Sequence, residues 1–194
     1  MVRYTGDDEH AKTLVVSDSR YGAARKYAAM IRDRRDVDIA DARGARWTVA
    51  RAYQTILFVG SVYDGRFGLL DMAEKMVKKG QLANEENKDD PDYQGGYRFG
   101  LLAVGMSEGE DPGKAAFLGS LAEEIPVFFA GGCFDPAGLS AMDHLTVELW
   151  KKIPEEELPR WKKEMIASLE TGEKIDRVDE SYIDPLLEII DGRF

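Results

Sequence analysis

The sequence predicts a three-layer α/β fold, a doubly wound parallel five-stranded sheet with helices on both faces and extra C-terminal helices. Three observations predict it. Short apolar runs without strict alternation recur along the chain, which marks strands buried on both faces. Segments of helical period separate those runs, as crossovers between parallel strands do. A chain of 194 residues is also long enough for one full core, burying roughly 70% of its unfolded surface.

After a polar tail over residues 1–12, Thr13 to Asp18 reads as the first buried strand. Gly22 to Arg35 follows with Ala23, Ala24, Tyr27, Met30 and Ile31 on one helical face, and Arg34 and Arg35 suit its carboxyl end. Val37 to Ile39 alternates like a half-exposed strand, and a helical turn separates it from the next. Gln54 to Val62 contains the clearest buried strand, Ile56 to Gly60. Phe67 to Lys79 returns to helical period, with Gly80 in the position of a C′ stop. The polar stretch 81–98 reads as an exposed insertion.

Phe99 to Gly105 is the next strand, and Asp111-Pro112 supplies an N-cap and N1 proline for a helix to about Glu123. Ile125 to Ala130 is the last strand. Asp135-Pro136 repeats the cap-plus-proline start, for a helix through Leu139, Met142, Leu145 and Leu149. Residues 153–194 add a helix through Leu158, Trp161, Met165 and Leu169, and another through Ile183, Leu187 and Ile190. The main domain therefore spans 13–152, with this helical extension packed on it. The charges at Glu155–Glu157 and Lys162–Lys163 read as a solvated helix face.

Composition removes whole classes of function. With 26 Lys+Arg against 36 Asp+Glu, the formal charge of −10 opposes phosphate backbones and anionic lipid, so no nucleic-acid partner is expected. Cys133 is the single cysteine and His10 and His144 the two histidines, too few for a Cys- or His-rich metal centre. No run approaches ~18 uninterrupted apolar residues, so no stable membrane anchor is expected and a cytoplasmic location follows.

In a doubly wound sheet, ligands bind beyond the carboxyl ends of the strands. The first such loop, Asp18 to Ala24, gathers a hydroxyl, a guanidinium, a glycine and a helix N-terminus, which together can hold a phosphate monoester. G-x-G-x-x-G is absent, so a mononucleotide fits better than a dinucleotide pyrophosphate. The second loop, Gly60 to Phe67, offers Tyr63 as an aromatic face and exposed peptide groups for a planar ring system. The third, Gly105-Met106-Ser107-Glu108-Gly109, matches G-x-S-x-G, with Asp135 and His144 following in α/β-hydrolase order. No helix starts directly after Ser107, however, and neighbouring carboxylates disfavour an oxyanion. A serine hydrolase is thus a weaker alternative. In the fourth loop, Gly131-Gly132-Cys133-Phe134-Asp135, the glycines permit close backbone approach and Cys133 reads as packed.

These loops resemble the flavodoxin-like superfamily, most closely the flavodoxin domain of the menaquinone-dependent protoporphyrinogen oxidase group. The resemblance rests on Leu14 to Gly22, Ile56 to Tyr63, Gly131 to Asp135 and the tail segments Thr171 to Asp176 and Ile183 to Leu186. It implies strand order 2-1-3-4-5 with FMN at the switch point. Ser19, Arg20, Tyr21, Gly22, Ala23 and Ala24 would form the phosphate loop. Ser61, Val62, Tyr63 and Gly65 would contact the isoalloxazine, and Met106, Ser107 and Glu108 would close its other side.

One departure concerns Ala24, where the group usually has a hydroxyl residue. A missing hydrogen bond to a charged group costs roughly 1.5–3 kcal/mol, or ~10- to 150-fold in affinity. The expected function is FMN-dependent electron transfer or oxidoreduction between an electron donor and an acceptor, with a homodimer left open. Protoporphyrinogen oxidation is implied by the resemblance alone. The alternative class is a flavodoxin-like scaffold that binds FMN weakly or not at all. Asp64, Glu108, Glu110 and Asp111 are expected to lower the potential of a bound flavin by disfavouring its anionic reduced form.

Overall fold

A computed structural model of the chain describes residues 12–63, 65–90, 96–107 and 116–194. In chain order the elements are β1 (Thr13–Asp18), α1 (Ala23–Arg34), β2 (Asp38–Asp41), α2 (Trp47–Ala50), β3 (Thr55–Tyr63), β4 (Arg66–Phe67), α3 (Leu70–Asn87) and β5 (Arg98–Gly105). They continue with α4 (Leu121–Glu124), β6 (Val127–Gly131), β7 (Cys133–Phe134), α5 (Ala141–Trp150), α6 (Arg160–Thr171), β8 (Ile175–Asp176) and α7 (Asp184–Ile190). Strands β2-β1-β3-β5-β6 form one sheet in that order, all parallel, with the short β4 paired antiparallel to β3. Counted along the parallel strands alone, this is the flavodoxin-like order 2-1-3-4-5. The chain has a flavodoxin-like α/β fold with additional helices towards its C-terminus.

Strand alternation divides the core into two layers. Leu14, Val16, Ile56, Phe58 and Leu101 meet Ala73, Met76 and Val77 of α3 on one face. Val15, Leu57, Val59 and Leu102 meet Ala24, Tyr27 and Ile31 of α1, with Ile183, Leu186 and Ile189 from the C-terminal end, on the other. The central residues of β1, β3 and β5, Leu14–Val16, Ile56–Val59 and Leu101–Val104, are apolar on both faces, which is why these runs show no polar alternation. Ion pairs fasten α7 to α1: Arg34 bonds Asp184 at 3.0 Å, and Arg35 grips Asp191 through two 2.8 Å bonds.

The buried residues of α5 and its approach to α6, Val147 and Leu158, belong to neither layer. These two helices pack on each other and stand over the carboxyl edge of the sheet as a cap.

Two helix boundaries differ from the sequence expectation, each for a physical reason. Helix α3 runs through Gly80 to Asn87 rather than stopping at Gly80. A Cβ at Gly80 would lie 2.4 Å from the ring of Phe99, so this glycine serves close packing, not helix termination. Part of the stretch 81–98 is accordingly helix, and Asn84 is tied to the backbone of Tyr97 by bonds of 2.7 and 3.2 Å.

The second difference is at Asp135-Pro136, which forms only a 3₁₀ turn over Pro136–Gly138, with Asp135 accepting from the Ala137 amide. Leu139 is extended, and α5 begins at Ala141 with Ser140 as its cap. Asp111-Pro112 lies outside the described residues.

Candidate active site

A cavity of ≈660 Å³ lies at the carboxyl edge of the sheet, walled by the β1, β3, β5 and β6 loops on one side and the α5–α6 cap on the other. Its volume falls within the roughly 300–1,000 Å³ of small-molecule sites. Of the residues singled out from sequence, Arg20, Tyr21, Ala23, Ser61, Val62, Tyr63, Gly65, Met106 and Ser107 line it. Ser19, Gly22 and Ala24 do not. Glu108, together with Asp64, Glu110 and Asp111 of the expected carboxylate ring, lies outside the described residues.

The first loop turns into α1 through Gly22, whose φ of 93° is left-handed and open only to glycine without strain. Among the described residues no side chain caps this helix, so its leading amides have no side-chain acceptor, as an anion site requires. The buried Ser19 Oγ has no hydrogen-bond partner among the described residues. A buried hydroxyl costs free energy unless something satisfies it. An orphan hydroxyl beside an uncapped helix start fits a phosphate group. Ala24 is fully buried in the α1 core layer, so the loop gains no hydroxyl there.

Ser61 joins the first two loops. Its Oγ accepts from the Arg20 amide at 3.1 Å and donates to the Asp18 carbonyl at 3.3 Å.

The join between the loops and the cap centres on Asp143 of α5. This carboxylate is 4% exposed and accepts from Arg20 Nη2 at 2.9 Å on both oxygens, and from the hydroxyls of Tyr21 and Tyr63. Its own amide donates to Ser140 Oγ at 3.2 Å. The Arg20 guanidinium also lies 3.8 Å from the centroid of the Tyr63 ring. The guanidinium therefore lies against the Tyr63 ring, away from the start of α1.

Burial pushes the Asp143 carboxyl up, but the bonds from Tyr21, Tyr63, Ser140 and Arg20 outweigh it and hold it well below the usual carboxylate range. Burial first, then the bond to Asp143, raises the Tyr63 phenol to about 12. Arg20, Asp143 and both tyrosines thus keep their ordinary charge states across neutral pH.

The cap wall is aromatic. Asp143, Val147 and Trp150 line the cavity from one face of α5, at positions i, i+4 and i+7. Trp161, Lys162 and Met165 line it from α6. The rings of Trp150 and Trp161 meet edge to face at 5.6 Å, and Lys162 Nζ lies 4.9 and 5.3 Å from their centroids. Lys162 is therefore not simply part of a solvated face.

Helix α5 also reverses its expected face. Met142, Leu145 and Leu149 are 69%, 52% and 47% exposed, while the cavity takes Asp143, Val147 and Trp150. Asp143 was not legible as a site residue, because its partners lie about 80 to 123 positions away in the chain. Only the i, i+4, i+7 spacing of Asp143, Val147 and Trp150 marks the inward face in sequence.

At the base of the cavity, Cys133 Sγ lies 3.1 Å from Asp176 Oδ1 and 3.7 Å from Lys26 Nζ, and Lys26 bonds Asp176 at 2.5 Å. Burial and the bond to Asp176 raise the thiol to about 11, so it is protonated at neutral pH.

The G-x-S-x-G constellation is not assembled as a triad. Ser107 lines the cavity, but Asp135 caps its own turn and pairs with Lys174 at 2.6 Å, and exposed His144 does not reach the cavity. Among the described residues, no group of three or more His, Cys, Asp or Glu could hold a metal ion. No described helix is long and apolar enough to cross a membrane.

The sequence matches no family model and none of the curated proteins. Among solved structures it is similar to a flavodoxin from the domain Archaea, at 15% identity and a TM-score of 0.42, over 82% of this chain and 96% of that one. It is also similar to the flavodoxin of Streptococcus pneumonia TIGR4, at 16% identity and a TM-score of 0.40, over 80% and 97%. The strand order and register carry the fold; these alignments add nothing to the reading of the site.

Proposed function

We propose that the chain binds FMN at the β1, β3 and β5 loops and works as a redox protein between an electron donor and an acceptor. The observation that carries this reading is the orphan Ser19 hydroxyl ahead of the uncapped start of α1, in a loop whose Arg20 and Ala23 line the cavity at the switch point of the sheet. Ser19 and the amides of Gly22, Ala23 and Ala24 hold the phosphate. Ser61, Val62, Tyr63 and Gly65 form the wall against the ring, with Met106 and Ser107 opposite. Arg20 and Tyr21 position Tyr63 through Asp143.

Bound FMN supplies the electron chemistry, and nearby charge and hydrogen bonds set its potential. Carboxylates of the loops lower that potential, so a midpoint above that of free FMN would contradict this part of the reading. A cytoplasmic location, a domain over 13–152 with a helical extension, and the assignment to a protoporphyrinogen oxidase-like group belong to the same proposal.

The test is titration of FMN with the purified protein, read as quenching of flavin fluorescence. Saturable quenching is expected. Ser19→Ala removes one bond to a charged group, worth roughly 1.5–3 kcal/mol, and should weaken binding ~10- to 150-fold. Unchanged affinity in that variant would remove the phosphate from this loop.

One observation favours a second reading, a flavodoxin-like scaffold without flavin. Arg20 already covers Tyr63, and Asp143 engages both tyrosine hydroxyls, so the ring wall is satisfied by the protein itself. Absence of quenching at millimolar protein and FMN would select it.

A further inference from the structure

The cavity has two ends of different chemistry. Asp143 marks the polar end, where it is bonded to the β1 and β3 loops. Trp150 lies on the same face of α5 seven residues later, roughly 10 Å along the helix. Trp161 meets Trp150 edge to face, Val147 and Met165 lie one helical turn from them, and Phe134 also lines the cavity.

Among the described residues lining the cavity beside the two tryptophans, Lys162 carries the positive charge. Lys162 is directed over both indole rings and, among the described residues, forms no ion pair. The chain carries a formal charge of −10, and two neighbouring lysines are ion-paired, Lys151 with Glu148 and Glu170, and Lys163 with Glu155. A lysine supported by two aromatic faces in place of a carboxylate keeps its charge and its donors available.

We propose that the cap end is a second binding compartment, for a small planar aromatic molecule bearing one anionic group. The flat part is held among Trp150, Trp161, Phe134 and Met165, where aromatic rings favour stacked or edge-to-face contact. The anion meets Lys162 in a partly desolvated setting, where a charge-assisted hydrogen bond is stronger than a neutral one. The proposal rests on the flavin reading in one respect, that FMN occupies the polar end. The contacts named here are independent of it.

The test uses 2-naphthoate, 2-naphthamide and cyclohexanecarboxylate, titrated calorimetrically into the full-length protein with and without saturating FMN. Naphthoate should bind about tenfold more tightly than either of the other two. Lys162→Gln should abolish its advantage over naphthamide without altering naphthamide binding. In ¹⁵N-correlated spectra, naphthoate should move the indole signals of Trp150 and Trp161. The signal of Trp47, which packs on Tyr97 instead, should stay in place.

Equal affinity for naphthoate and naphthamide, unmoved indole signals of Trp150 and Trp161, or no binding at millimolar naphthoate would each overturn the proposal. Competitive displacement by FMN would do so as well, since the two ligands would then share one place. Naphthoate binding to a protein that ignores FMN would leave the compartment standing and defeat the flavin reading alone.

Discussion

The loop wall of the cavity is assembled from residues that directly follow buried strands, whereas the cap wall is assembled from two helices outside both core layers. On the loop wall, position is inherited from the sheet. Once β1 and β3 pair in register, Ser61 is set against Asp18 and Arg20, and the loops lock to each other. On the cap wall, position depends on a few long-range bonds, chiefly those of Asp143, with Arg177 joining Met106 from the tail. The contrast teaches that one wall is as stable as the sheet and the other as stable as its fasteners.

The sharpest way to break the contrast is to unfasten the tail from the sheet edge. A Cβ at Gly131 would lie 2.2 Å from the Arg177 carbonyl. Gly131→Ala should cost about 2–3 kcal/mol, the upper part of the overpacking range, read as a lower urea midpoint. A midpoint equal to that of the parent would mean the tail yields freely.

Asp143→Asn attacks the join between the walls and should cost about 1.5–3 kcal/mol at neutral pH. Its pH dependence has a definite sign. The folded carboxyl lies below its unfolded value of about 3.9. The contribution is therefore fully present above the unfolded value and is lost progressively as pH falls from there through the folded value. The stability gap between parent and variant should narrow between pH 5 and pH 3; a constant gap would show that the charge of Asp143 is not what joins the walls.

Gly22→Ala acts on the loop wall alone. A non-glycine residue at φ 93° costs about 1–2 kcal/mol, and no atom crowds the added methyl. Thermal unfolding should shift down while the indole environments of the cap stay unchanged. A cap disturbed in this variant would mean that the walls are coupled more tightly than the bonds through Asp143 suggest.

The smallest effect is expected at Cys133, beneath both walls. Asp176→Asn removes the carboxylate that helps hold the thiol at about 11. Alkylation at pH 8 should therefore speed up several-fold without a change in fold. An unaltered rate would assign the shift to burial alone.

Legibility in the sequence follows the same division. The strands, their parallel arrangement, the helix between β1 and β2 and the loops at the sheet edge were all readable, since each depends on residues close together in the chain. Gly80 misled because a glycine near a helix end looks the same whether it terminates the helix or admits a ring such as Phe99. Helix α5 misled because Met142, Leu145 and Leu149 have the period of a buried stripe, yet point outward. Its inward face was decided by Asp143, a residue whose burial makes sense only with Arg20, Tyr21 and Tyr63 around it.

The sequence by itself determined an acidic α/β chain with a parallel sheet and a glycine-turned, hydroxyl-bearing loop ahead of its first helix. Those features follow from apolar periodicity, net charge and local backbone chemistry, all of which act over a few residues. Only the tertiary structure decided that Ser19 is left without a hydrogen-bond partner among the described residues, that Arg20 covers Tyr63, and that two tryptophans and Lys162 line the cap. Such features arise between distant segments, where burial and hydrogen-bond satisfaction are settled by packing rather than by neighbours in the chain.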